Sequence, residues 1–591
     1  MVSGRRSITL RSVLLSIALV SIATCMNAYL GINFGMGFGL GAITVIIAYA
    51  LFSKLMGGTW RSEISSVLIA SSSMLTAHYT LGFLIYLIEN EPQASLPSWL
   101  VPSRDVILGK ILDLKYWIGP LSFIILALLL STIVGLIFSL ILSDEFIRSK
   151  KMVFPFTAIS ASLIDSCFKG GVVAKIVGYS ALAGFIITLI QYLTKFIGLD
   201  LTSIDLTPML PEGFAFAISL SIGFMAVGYV MSAKVSLSLL FSGLFTYLVL
   251  APILVSYGVI KPAKTAMDFY NNLVFNFTIS PALGIMILGG FGLSILLFIR
   301  SRLSGSRGGG ELGYAHLYKV LFKGLIENKR YLLILVSIAI AVHVLAYFLN
   351  PLNPLPPITS LLFMAYAFFI ASFIEFVIIT KMAGETGMSM GFASMLLYDM
   401  PIFLTGYRGY AAYWVLPLLR PSPWVGSGVI CYLKYRREFD VDAKDVVKAK
   451  FIGWIPSLIL SIIVVIFIWK FIGFGNEVMP AISFLQLRFY YKMLATGNIA
   501  GTVDPFLFIG GGIAGALIEL LTPASMIGVA MGMLLPPHYI LPFGLGGLLR
   551  LYTDRRFGSE FFKEKGRLIA AGVMTSSILI QVLMSIVTAK L

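Results

Sequence analysis

The residues in this sequence best able to do chemistry are carboxylates set in apolar surroundings. Placing an ionisable side chain in lipid costs about 2.5–3.5 kcal/mol on insertion scales, so each one there calls for a reason. Glu385 stands in the run Lys-Met-Ala-Gly-Glu-Thr-Gly from Lys381 to Gly387, between two apolar stretches, with Gly384 before it and Thr386 after it. Freed backbone groups and a carboxylate at a glycine-flanked break suit a cation or a proton. An interfacial carboxylate paired with Lys381 is the plain alternative. Glu63 opens a helix that carries Ser65, Ser72, Thr76 and Thr80. Steps of seven and four residues put these hydroxyls on one face, as a polar path requires, although hydroxyls also bond back to their own helix.

Asp165, Glu375, Asp399, Asp504 and Glu519 are the other carboxylates in or near apolar stretches. Asp504 and Glu519 fit helix ends, whereas Glu375 and Asp399 are hard to place at an interface and are candidates for a proton or ion role. His78 and His538 lie in apolar segments, where a histidine titrates near neutrality or simply satisfies a core. Enzyme chemistry has no motif to rest on. The sequence has no HExxH, no Gly-Asp dipeptide, no GxSG and no Walker A loop. Cys25, Cys167 and Cys431 have no ligand-like spacing, so neither a disulfide framework nor a metal site is expected, and no cofactor.

The elements that must position these groups are membrane helices. Hydrophobic residues make up 58% of the 591-residue chain and charged residues 12%, with a mean hydropathy of +0.94. A soluble domain is about half apolar and about a quarter charged, so lipid is part of this chain's solvent. A hydrocarbon core of about 30 Å needs about 20 apolar residues in helix. Stretches of that kind lie at 12–31, 36–52, 118–143, 176–198, 214–231, 235–257, 281–299, 331–349, 357–380, 409–433, 451–469, 505–521, 522–541 and 567–588. With less clean candidates near 64–88 and 386–404, the expected fold is an all-α polytopic membrane protein of about 16 transmembrane helices. The first run follows Arg5, Arg6 and Arg11 but lacks a small-x-small cleavage site, so it reads as a retained span.

The formal charge of +16 is concentrated in loops, at Arg148 to Lys151, Arg300 to Arg330 and Lys434 to Lys450. That is a positive-inside pattern and not a nucleic-acid surface. The 89–105 and 199–212 connections are acidic and should face outward, which puts the N-terminus in the cytoplasm. The seven tryptophans sit where an aromatic belt is expected.

The one long hydrophilic stretch inside the chain, 300–330, begins with a glycine- and serine-rich run and reads as a cytoplasmic linker between an N-terminal half, 1–299, and a C-terminal half, 331–591. Two pairs of segments suggest that the halves are related. SKLMGGTW from Ser53 aligns with TKMAGETG from Thr380, and IGFMAVGYVMSAKVSLSLLFSGLF from Ile222 aligns with IGVAMGMLLPPHYILPFGLGGLL from Ile527. Glycines cluster densely at 31–41, 284–292, 510–515 and 544–547, where they permit either tight helix packing or a broken helix beside a cavity.

Read together, several stretches resemble the oligopeptide transporter superfamily, which includes the yellow-stripe-like metal-chelate carriers and their prokaryotic relatives. They are TLRSVLLSIALVSIATCMNAYLGINFGMGFG, with Asn27, Tyr29, Leu30 and Gly31; RSEISSVLIASSSM; FIRSKKMVFPFTAISASLID; and the stretch from Pro505 to Arg550, with Gly512, Glu519, Gly528, Pro536, Gly546, Gly547 and Arg550. The turn at Gly384 to Gly387 lacks the Asn-Pro found after it in many relatives. The resemblance implies a proton-coupled secondary transporter in the cell membrane that moves small peptides or metal chelates by alternating access. Its partners would be that solute, protons, the lipid bilayer and a second copy of the chain. It also adds Asn27 and Tyr29 to Glu63, Ser72, Glu375, Gly384, Glu385, Thr386, Asp399, Glu519 and His538 as candidate substrate or coupling-ion positions.

Overall fold

The computed structural model describes residues 7–34, 41–150, 152–169, 171–194, 201, 204–289, 313–349, 355–387, 392–475, 479, 481–497 and 504–588. These residues are almost wholly helical, as the apolar runs dictate. The exception is a short antiparallel ribbon in which Ile204 pairs with Ile218 and Asp205 with Ala217. Seven helices among the described residues are long and apolar enough to cross a membrane: Leu10–Tyr29, Leu114–Arg148, Lys175–Leu193, Ala233–Ser256, Ala266–Gly289, Pro357–Thr386 and Ala443–Ile472.

The described residues do not confirm the expected count of about 16 spans, and several of the predicted spans are broken. The 64–88 stretch divides into Arg61–Ser71 and Ala77–Asn90. At its break, the Ser71, Ser72 and Ser73 hydroxyls donate back to carbonyls of their own helix and compete with its continuation. The 214–231 stretch is helical only over Ile222–Val230. In 409–433, Pro417 and Pro421 separate Ala412–Val415 from Ser422–Lys434, since proline cannot donate to a helix interior. Pro536 and Pro537 do the same in 522–541, between Met526–Leu534 and Pro537–Phe557. The helix predicted at 281–299 begins earlier, at Ala266, and is described to Gly289. Of the expected linker, 300–312 lies outside the described residues, and the remainder is helical from Tyr314 to Glu327.

The chain forms two compact units. One comprises Met1–Asp144, Val320–Thr380 and Ala393–Ile499; the other comprises Glu145–Lys319, Lys381–Phe392 and Ala500–Leu591. The second holds the two segments aligned from Ile222 and Ile527. Each is a short helix, an extended joint and a second helix, with the joints at Met231–Ser232 and Leu535–Pro536 all at ψ between 137° and 159°. They pack reciprocally, Ile222–Val230 against Pro537–Phe557 and Ala233–Phe245 against Met526–Leu534. The Tyr247 hydroxyl donates to the Leu535 carbonyl at 2.8 Å, and the Ser236 hydroxyl to the Gly228 carbonyl at 2.9 Å, so carbonyls near the joints keep partners.

Glycine makes these crossings possible. A Cβ on Gly228 would lie 2.2 Å from the Phe543 carbonyl oxygen, and one on Gly546 would lie 2.1 Å from that of Met225. Gly546→Val is therefore expected to force the helices apart at a cost of about 1–3 kcal/mol or more, read as a lowered thermal midpoint in detergent. Gly510, with nothing within 4 Å of a Cβ, is the control. An equal response of Gly546→Val and Gly510→Val would refute the argument.

In the first unit Glu91, just beyond Ala77–Asn90, accepts from Arg488 Nε at 2.6 Å and from Lys492 Nζ at 3.2 Å. Burial pushes its pKa up, but the two cations outweigh burial and hold the carboxyl below its usual range. A depressed folded value gives a contribution that is full above the unfolded pKa, about 4.3, and is lost as pH falls through the folded value. Thermal midpoints of wild type and Glu91→Gln should thus stand furthest apart near neutrality and converge on acidification. A gap that does not change with pH would contradict this.

Candidate functional site

Two of the predicted carboxylates, Glu375 and Asp399, meet in one buried cluster of the first unit. Glu375 lies in the first turn of Ser372–Thr386, which continues directly from a π-helical turn, Ala367–Ala371. The Ser372 hydroxyl donates to the Ala367 carbonyl at 2.7 Å and so satisfies a group that the widened turn releases. Asp399 closes a second π-helical turn, Met395–Asp399, ahead of Pro401 in Met400–Leu404. Pro401 has no N–H to give to the preceding turn, which favours the local widening. A third piece comes from the irregular stretch between Val415 and Ser422, where Pro417 and Pro421 interrupt the helix and present Arg420. Within a bilayer, irregular backbone persists only where protein or a cavity surrounds it.

The side chains interlock. Arg420 Nη2 donates to Asp399 Oδ1, and Arg420 Nη1 to the Tyr491 hydroxyl at 3.1 Å. The hydroxyls of Tyr490 and Tyr491 donate to Asp399 Oδ2 at 3.4 and 3.3 Å. The guanidinium lies over the rings of Tyr398, at 5.3 Å, and Trp414, at 5.9 Å. Both carboxylates have no exposed surface. The Ser394 hydroxyl donates to Glu375 Oε1, and the Tyr398 hydroxyl, itself 3.3 Å from Ser372 Oγ, is near enough to act on the same carboxylate. Among the described residues Glu375 Oε2 has no hydrogen-bond partner of good geometry. The cluster therefore joins the Arg420–Asp399 ion pair to a carboxyl group with one oxygen left over, where a proton or a small cation would find an acceptor.

The remaining predicted residues lie elsewhere. Glu63 is locked: Arg11 donates Nε to Oε1 and Nη2 to Oε2, both at 2.7 Å, Thr9 adds a bond at 2.6 Å and Thr59 one at 3.0 Å. That arrangement satisfies both oxygens and holds the chain near Thr9 against the start of Arg61–Ser71. Ser72 shares a 2.5 Å hydrogen bond with the Tyr432 hydroxyl. Asn27 turns its amide to the Ala23 carbonyl at 2.9 Å and to Met74 Sδ at 3.5 Å, and Tyr29 lies two residues on, partly buried, on the same helix.

In the second unit, Glu385 does not stand in unwound backbone. The helix runs through Gly384 and Glu385 to Thr386, whose hydroxyl bonds back to Met382 at 2.7 Å, and ends at Gly387, where φ is +77°. A left-handed glycine after the last turn is what stops it there. The Gly384 carbonyl accepts from the Phe154 amide at 2.8 Å. Glu385 Oε2 receives the Ser525 hydroxyl at 3.2 Å, while Glu519 receives the Met526 amide at 3.1 Å and pairs with Lys234 at 3.1 Å. Both carboxylates thus collect at the N-terminus of Met526–Leu534, where the helix dipole favours negative charge. His538 opens the next half-helix, its ring centroid 4.0 Å from that of Tyr539.

Arg420, Ser394, Tyr398, Tyr490 and Tyr491 are not evident from the sequence alone. The available signal was Arg420 itself, an arginine between Pro417 and Pro421 inside an otherwise apolar run. Set against known families, the sequence from residue 7 to residue 588 matches the family model described as OPT oligopeptide transporter protein. No curated protein matches the sequence.

Proposed function

This chain belongs to the OPT oligopeptide transporter family, and on that premise we propose that it is a proton-driven secondary transporter of small peptides or peptide-like metal chelates, working by alternating access. The observation that carries the proton coupling is the Glu375 carboxyl group, buried, held at one oxygen by Ser394, and without a hydrogen-bond partner of good geometry at the other among the described residues. Protonation changes its charge beside a fixed ion pair, Arg420 with Asp399. A change of that kind biases the balance between two conformations when they expose the carboxyl group differently. Glu385 and Glu519, gathered at one half-helix terminus, are the second place where a coupling ion would act in this reading. The basic loops support a cytoplasmic N-terminus, a cytoplasmic 300–330 segment and residence in the cell membrane. The matching joints at Met231–Ser232 and Leu535–Pro536 support an ancestral duplication.

Uptake of a panel of peptides and metal chelates into proteoliposomes, with and without an imposed pH gradient, tests the proposal. Accumulation of at least one of these solutes above equilibrium, only under the gradient, is the expected result. Equal uptake in both conditions would remove proton coupling, and uptake of neither class would remove the substrate assignment.

A further inference from the structure

Three part-buried arginines of the first unit pair with carboxylates. Arg11 pairs with Glu63, Arg420 with Asp399 and Arg488 with Glu91, and their side chains are 26, 20 and 24% exposed. Lys450 departs from this pattern. It is only 3% exposed, in the second turn of Ala443–Phe467, yet among the described residues no carboxylate lies within ion-pair distance of it. Its Nζ sits 4.5 Å from the centroid of the Tyr432 ring. A ring face returns only part of what an ammonium loses on leaving water.

The ammonium faces a glycine. A Cβ built on Gly428, on the facing helix Ser422–Lys434, would meet Lys450 Nζ at 3.9 Å and no other neighbouring atom within 4 Å. The Tyr432 hydroxyl, bonded to Ser72 at 2.5 Å, stands on the same ring that the ammonium covers. Ser72 caps the end of Arg61–Ser71, at the break before Ala77–Asn90. The groups assembled here are a buried positive charge without a counter-ion among the described residues, a glycine that leaves the ammonium uncovered on that side, and a Tyr432 hydroxyl whose proton is freed when Ser72 gives its own to Tyr432 instead of to the Leu68 carbonyl.

The geometry points to an anion site at Lys450, in which the ammonium, with Tyr432 and Ser72 beside it, holds a carboxylate group of the transported solute. The identity of that solute rests on the transporter reading above; the anion site itself does not. A carboxylate supplies the missing charge and accepts from an ammonium and a hydroxyl together. A lysine, unlike an arginine fork, places one compact charge in a small space.

The test uses the purified full chain in detergent, without a gradient, so its failure is separate from failure of proton coupling. Thermal midpoints are compared in acetate, phosphate and chloride at equal ionic strength. Wild type is expected to show a higher midpoint in acetate than in chloride. Lys450→Met is expected to lose that difference and to show a higher midpoint than wild type in chloride, because the unpaired charge is gone. Tyr432→Phe, which keeps the ring and drops the hydroxyl, should reduce the acetate shift. The proposal is overturned if wild type shows no shift specific to acetate, if Lys450→Met keeps the full shift, or if phosphate stabilises more than acetate. Should Lys450→Met fail to fold, an undiminished acetate shift in Tyr432→Phe overturns it equally.

Discussion

Glu375→Gln is expected to abolish accumulation driven by a pH gradient while leaving insertion and counterflow exchange of the solute near wild-type levels. The amide keeps the size of the side chain, and its oxygen still accepts from Ser394. What it loses is the capacity to change charge. In the proposed mechanism the acid releases or takes up a proton on Oε2 beside the Arg420–Asp399 pair, an event the amide cannot support. Counterflow moves labelled solute against unlabelled solute and needs no net proton, so it separates coupling from general damage. Full gradient-driven accumulation by Glu375→Gln would sink the assignment and direct attention to Glu385 and Glu519. Loss of counterflow as well would mark Glu375 as a packing residue.

The second large effect is on stability. Arg420→Met leaves Asp399 buried with only two tyrosine hydroxyls, and Asp399→Leu leaves the guanidinium without its carboxylate. Breaking a buried pair from one side costs about 3–5 kcal/mol, because one charge stays uncompensated, whereas replacing both partners by apolar groups is often close to neutral. Each single variant should therefore lose most of its folded yield on size-exclusion chromatography. The double variant should recover much of it, so that the losses in a double-mutant cycle are far from additive. Additive losses would show that the pair does not act as a unit.

Composition alone makes the membrane character of the chain plain, and the ordered motifs of Pro505 to Arg550 carry the family. The helix breaks were less legible. Prolines 417, 421, 536 and 537 mark two of the four interrupted segments once a break is looked for, but a window of apolar residues averages over them. At Ser71 to Ser73 the interruption depends on which carbonyls the hydroxyls choose, a choice that composition does not express.

Sites assembled from distant segments were harder still. Glu375 and Asp399 were each visible as costly carboxylates, but their meeting with Arg420, Tyr490 and Tyr491 spans more than a hundred positions of sequence. Glu63 shows the opposite case. Its apparent polar environment is an ion pair with Arg11, and nothing in the spacing of the two residues announces it.

The chain passes from one unit to the other five times, after Asp144, Lys319, Thr380, Phe392 and Ile499. On the ribosome this sets an order of completion. The first unit has all its segments once residue 499 is made, while the second still waits for 500–591. During that interval Gly171–Leu193, Ile222–Val230 and Ala233–Phe245 lack Arg567–Thr588, Pro537–Phe557 and Met526–Leu534, against which they finally pack. Their glycine-lined faces stay open to lipid, or to whatever chaperone attends the nascent chain, until the last helices are inserted. A premature stop before residue 526 leaves those faces permanently open, and the product is one that membrane quality control can recognise by an absence of helix partners.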